Sequence, residues 1–209
     1  MESIAKEVKG DIMNLKGAEN MSLEYQRYGR NKETVINNTY IDSGEYRNKF
    51  NHITDNDDVN RVIYSKAKEM LKHRSGTKFE DMYWIDKTTG AVVASVLNEQ
   101  QEERIIYTES VLKAISGQKN LIAMHTHPNS MPPSAADFNS AFYNEYAASF
   151  VFCHDGKIFG YTSNKILSTY VYERYISEFK AIGLQEYEAQ IKALDKLRQN
   201  YEIDFWEVK

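Results

Sequence analysis

The chain has 209 residues, 42% of them hydrophobic, which suffices for one folded unit with a core of ordinary size. Its formal net charge is -4 with Lys and Arg scattered among Asp and Glu, so no cationic face of the kind that binds phosphate backbones stands out, and nucleic acid is not the favoured partner. The single cysteine, Cys153, excludes an internal disulfide; no apolar run approaches the ~20 residues of a bilayer span, and no secretion signal is legible, so the expectation is a soluble protein of the reducing cytoplasm with no membrane partner.

Residues 1–50 are polar, rich in Asn, Glu, Lys and Tyr, and carry no sustained hydrophobic period. They are expected to form an extension ahead of a domain spanning residues 51–209. From Thr54 the pattern changes. Thr54 and Asp57 are spaced as a capping box, and Val59, Val62, Ile63, Ala67, Met70 and Leu71 share a helical face, predicting a helix over about 55–73 that ends before Gly76. In residues 79–86 the period becomes two: Phe79, Tyr83 and Ile85 fall on one side of a strand, Glu80, Met82 and Trp84 on the other. A turn at residues 87–90 leads into AVVASVL, making a hairpin.

Thr108 can cap a short helix carrying Val111, Leu112 and Ile115, which stops near Gly117. The strand predicted over about 120–126 leads into His125 and His127, and Ser134 then stands at the N-cap of a helix over about 135–146. SFVFC and KIFGYTS read as two strands around a turn at Asp155 and Gly156, followed by two helices separated at Gly183 and a terminal strand, YEIDFWEV. Strands interleaved with helices predict an α/β or α+β fold, with a mixed sheet flanked by helices.

The chemistry concentrates in LIAMHTHPNSMPPSAAD, residues 121–137, which hold all three prolines of the chain. Each proline ring locks its own φ and restricts the residue before it, so the path of this loop is stiff. On a strand, His125 and His127 point the same way, and two imidazoles can grip one ion. Asp137 lies in the first turn of the next helix, where the helix dipole favours its ionised form. Two nitrogens and one oxygen, with a position left for water, are the usual composition of a catalytic Zn2+ site, which points to hydrolysis. Glu80, on a strand face with Met82 and Trp84, is the candidate general base, and Ser134 could donate to the oxyanion of a tetrahedral intermediate. His52, His73 and His154 have no motif around them, and Cys153 reads as a small buried residue.

The order Glu80, then His125 and His127 followed by Pro128, then Ser134 and Asp137, resembles the JAMM (MPN+) metalloproteases, also called JAB domains. The resemblance covers roughly residues 77–163. It implies a JAB/MPN-like mixed sheet flanked by helices, a zinc ion on His125, His127 and Asp137, and cleavage of peptide or isopeptide bonds in a protein or peptide substrate such as a ubiquitin-like tail. The DNA-repair-associated RadC proteins look similar too, and a scaffold of the same fold without catalysis is a further alternative. The family pattern has seven residues between the second histidine and the serine, whereas six intervene here, and Glu109 is a second candidate for the glutamate. The segments YIDSGEYRNKF and MLKHRSGT resemble prophage or mobile-element proteins of Gram-positive bacteria.

Overall fold

The computed structural model describes residues 34–209. Among them are α1 (Asn38–Ile41), α2 (Gly44–Asn48), α3 (Asp57–Arg74), β1 (Met82–Asp86), β2 (Val92–Val96), α4 (Glu109–Ile115) and β3 (Leu121–His127). They continue with α5 (Ala135–Tyr143), β4 (Ala148–Cys153), β5 (Ile158–Ser163), α6 (Thr169–Ala181), α7 (Glu186–Tyr201) and β6 (Ile203–Glu207). The strands form one sheet in the order β2-β1-β3-β4-β5-β6. Only β3 and β4 are parallel, joined through α5; every other neighbouring pair is antiparallel. The fold is therefore α+β with a mixed sheet flanked by helices, as the alternation of periods predicts.

Period-two patterning sorts the strand residues between two cores. Tyr83, Ile85, Ile122, Met124, Phe150 and Phe152 face α3, whose Val59, Ile63, Ala67, Met70 and Leu71 are buried against them. On the other face, Val151, Cys153, Phe159 and Tyr161 pack under α5, α6 and α7, while Met82, Trp84, Leu121 and Ala123 pack under α4. A strand buried on both sides cannot alternate between polar and apolar residues, which is why all seven residues of β3 are buried.

Two expectations need correction. The capping box at Thr54 and Asp57 does not form: Asn56 is the N-cap of α3 and accepts from the backbone N–H groups of Asp58 and Val59, while the Thr54 hydroxyl donates to Asn60. The Asn56 side-chain oxygen accepts from the first free N–H groups, so the helix starts two residues later than its pattern suggests. The boundary at residue 50 also falls too late. Ile36, Ile41, Tyr46 and Phe50 are buried in the α3 core, and Phe50 stacks on Phe152 with centroids 5.7 Å apart. Residues 1–33 of the expected extension lie outside the described residues. Gly156 shows how tightly this segment docks: at φ +87°, a Cβ there would sit 2.5 Å from the Tyr40 ring.

The α5 helix ends at Tyr143, three residues short of its expected end. Glu145 takes a left-handed φ of 51°, and the Tyr146 hydroxyl accepts a hydrogen bond from Trp84 Nε1 at 2.7 Å. Among the described residues, no helix is long and apolar enough to cross a membrane.

Candidate metal centre

The C-terminal end of β3 delivers His125 and His127 onto the sheet face covered by α5. The β1 register pairs Met82 with His125, and continuing it two residues brings Glu80 level with His127. Glu80 itself lies just ahead of β1, which begins at Met82 rather than at residue 79. Its neighbour Asp81 exchanges hydrogen bonds with Thr126: Asp81 N–H donates to the Thr126 hydroxyl, and Thr126 N–H to the Asp81 carbonyl, both at 3.1 Å. Thr126 points away from the histidines and so holds the Glu80 segment against them.

Glu80, His125 and His127 are buried and bring one potential ligand atom each within 4.8 Å of one another, a group that could hold a metal ion. Asp137 reaches the same point from the first turn of α5. Its Oδ1 is 3.3 Å from His125 Nε2, its Oδ2 is 3.5 Å from His127 Nε2, and the two Nε2 atoms are 3.0 Å apart. The carboxylate separations exceed the ~2.7–2.9 Å of a charge-assisted hydrogen bond. They match the ~3.3 Å between ligand atoms that each lie ~2.0–2.1 Å from a tetrahedral ion. His127 Nδ1 donates to the Met131 carbonyl at 2.9 Å, which leaves its Nε2 lone pair facing the centre. The donor set fits a divalent cation.

Electrostatics separate the roles. Burial pushes the Glu80 carboxyl up to about 8, with the His127 charge opposing. Burial likewise lowers His125, keeping it neutral as a ligand must be, against the pull of Asp137. For His127, burial opposes the charged form, but the carboxylates of Asp137 and Glu80 and the Met131 carbonyl push it up to about 9. Asp137 also resists burial: the two imidazoles hold its carboxyl well below the usual range.

These shifts define a pH dependence for the metal-free protein. A histidine raised from 6.5 to about 9 contributes stability that is complete below about 6.5 and lost as pH rises through about 9. Glu80, raised from 4.5 to about 8, acts in the same direction, because above 4.5 the unfolded chain sheds a proton that the native state still holds. Thermal melts in the presence of chelator are therefore expected to show lower stability at pH 9 than at pH 6.5. A flat profile over that window would contradict the coupling of Glu80, His127 and Asp137.

Six residues, Pro128 to Pro133, separate His127 from Ser134, which caps α5. The loop turns at Ser130, which adopts a left-handed φ of 57°. Its N–H donates to the His127 carbonyl at 3.1 Å, and its hydroxyl accepts from Asp155 N–H at 3.0 Å. The capping box is complete: Ser134 Oγ accepts from Asp137 N–H at 3.3 Å, and Ser134 N–H donates to Asp137 Oδ2 at 2.7 Å. Ser134 Oγ also donates to Asp137 Oδ2 at 2.9 Å, so its hydroxyl must turn before it can donate to an oxyanion.

The structure thus brings Glu80, His125, His127, Ser134 and Asp137 together. Glu109 is exposed in the first turn of α4 and does not belong to the group. Sequence reasoning missed the supporting residues. The Met131 carbonyl orients His127 and also accepts from the buried thiol of Cys153 at 3.6 Å, but a backbone carbonyl has no letter in a sequence. Asp81, fully buried, pairs with Arg74 on one oxygen and with His73 at 2.6 Å on the other, and Arg74 also donates to the Leu97 carbonyl at 2.7 Å. Nothing in the local sequence pattern marks this pair, which forms only where the end of α3 meets the residue ahead of β1. His154, also unassigned by motif, is buried with Nδ1 2.5 Å from the Thr34 carbonyl. Arg74→Met is expected to lower stability by ~3–5 kcal/mol, because it strips the stronger partner from a buried carboxylate. Denaturant unfolding measures it, and a loss under ~1 kcal/mol would mean that His73 alone satisfies Asp81.

The fold and site define an α+β protein with a buried group of Glu80, His125 and His127 that could hold a metal ion, with the Asp137 carboxylate beside both histidines. Compared with known protein families, with curated proteins and with solved structures, the chain matches none.

Proposed function

We propose that the chain is a zinc-dependent hydrolase of peptide or isopeptide bonds, of the JAMM type that its motif resembles. The observation that carries this is the convergence of His125, His127 and Asp137 at 3.0–3.5 Å beside a buried glutamate. His125, His127 and Asp137 would hold the ion. Zinc bound there would supply a Lewis acid for the scissile carbonyl and would lower the pKa of a bound water to near ~7.

Glu80 moves the proton. Its carboxyl, pushed up to about 8 in the metal-free protein, can retain a proton taken from water at one carboxylate oxygen and return it to the leaving amine. Ser134, turned from Asp137, would donate a hydrogen bond from its hydroxyl to the oxyanion. Burial of Glu80 and both histidines excludes bulk water, which strengthens each of these interactions. The proposed substrate is a protein or peptide, of which a ubiquitin-like tail is one form. The proposed setting is the cytoplasm, where the buried Cys153 thiol stays reduced.

The test is metal analysis of the purified protein together with cleavage assays on linear and branched peptides. About one zinc per chain with cleavage is the expected result; stoichiometric zinc with no cleavage of any such peptide would sink the hydrolase.

A further inference from the structure

The centre draws its two carboxylates from separate parts of the fold. Glu80 stands ahead of β1, while Asp137 stands at the start of α5, and nothing in the centre itself fixes the distance between β1 and α5. A hydroxyl network one layer below does. Tyr107, in the irregular stretch between β2 and α4, places its hydroxyl 3.0 Å from Ser140 Oγ and 3.5 Å from Met82 Sδ. Its ring meets Trp84 edge-on, with centroids 5.0 Å apart and planes at 89°. Trp84 Nε1 donates to the Tyr146 hydroxyl at 2.7 Å, and Tyr146 in turn bonds Tyr107.

Each partner is one step from the centre. Ser140 follows Asp137 by three residues, one helical turn along, so the two lie on the same face of α5. Met82 is the register partner of His125, and Trp84 that of Ala123. We propose that Tyr107 and Ser140 are positioning residues for the metal centre: their hydrogen bond clamps α5 to β1 and so sets the separation of Asp137 from Glu80. This rests on the metal-centre reading above. Burial raises the Tyr107 hydroxyl well above its ordinary value, so it remains a protonated donor.

The test uses Tyr107→Phe, which removes the hydroxyl and keeps the ring on Trp84, together with Ser140→Ala and the double variant. Zinc affinity is read by chelator competition, ligand geometry by the visible spectrum of the Co2+-loaded protein, and folding by thermal melts of the metal-free protein. Each single variant is expected to weaken zinc binding by about 10- to 100-fold and to shift the Co2+ spectrum, as loss of a group behind a ligand does. The double variant should lose less than the two single losses combined, because the two changes share the Tyr107–Ser140 bond. Tyr64→Phe, which removes a hydroxyl 3.4 Å from the Ile41 carbonyl on the opposite face of the sheet, should bind zinc as the parent does. A merely structural role would lower the melting temperature and leave affinity and spectrum unchanged. That outcome overturns the positioning role alone, whereas a parent protein that binds no zinc removes the centre and the inference with it.

Discussion

Glu80→Gln is expected to retain about one zinc per chain while losing peptide hydrolysis by about 10²- to 10⁴-fold, the usual contribution of a general base. The substitution keeps the shape of a side chain that is 7% exposed, so packing changes little. What disappears is the proton acceptor. The amide cannot take a proton from water, and it no longer opposes the neutral form of His127, whose charged form Glu80 favours. The metal-free variant should also lose part of the stability decline toward alkaline pH, since an ionisable group with a carboxyl pushed up to about 8 is gone. Metal content, kcat and a pH series of melts distinguish the alternatives. Loss of zinc along with activity would make Glu80 a ligand, as its place within 4.8 Å of both histidines permits; retained activity would move the base elsewhere.

Asp137→Ala is expected to abolish stoichiometric zinc, with affinity reduced by more than ~100-fold, since even groups behind a ligand are worth about 10- to 100-fold. Asp137 has two structural tasks, and the alanine removes both. Its Oδ2 accepts from Ser134 N–H and Oγ, closing the capping box of α5, and loss of a cap costs ~0.5–2 kcal/mol. Asp137→Asn separates the tasks, because the amide oxygen can still accept from Ser134 while the negative charge between two imidazoles is gone. The asparagine variant is expected to melt near the parent yet bind zinc far more weakly. Zinc bound as tightly by both variants as by the parent would exclude Asp137 as a ligand.

The histidines and Asp137 were unusually legible because each is encoded locally. Alternation along β3 fixes that His125 and His127 face one way, whatever the rest of the chain does. The serine and aspartate three residues apart encode a helix start that carries its own carboxylate to the histidines, and the six-residue loop closes through the left-handed Ser130. Glu80 was harder, since only the antiparallel register of β1 with β3 sets it beside His127 and leaves Glu109 outside. The buried segment at 36–50 was illegible for a related reason. Of its buried residues, Ile41 and Tyr46 sit in helices of four and five residues and Ile36 and Phe50 in the irregular chain on either side, so no period can emerge among polar neighbours.

By itself the sequence determined the element types, the orientation of the two histidines, and the cap that holds Asp137, because hydrophobic period, side-chain alternation and capping act over a few residues. Tertiary structure alone decided which glutamate joins the centre, how the loop from Pro128 to Pro133 closes, and that Arg74, Thr126 and the Met131 carbonyl hold the surrounding residues. Those contacts join residues distant in the chain or use backbone groups common to every residue. Their energies come from burial and geometry that exist only once β1, β3 and α5 have packed together.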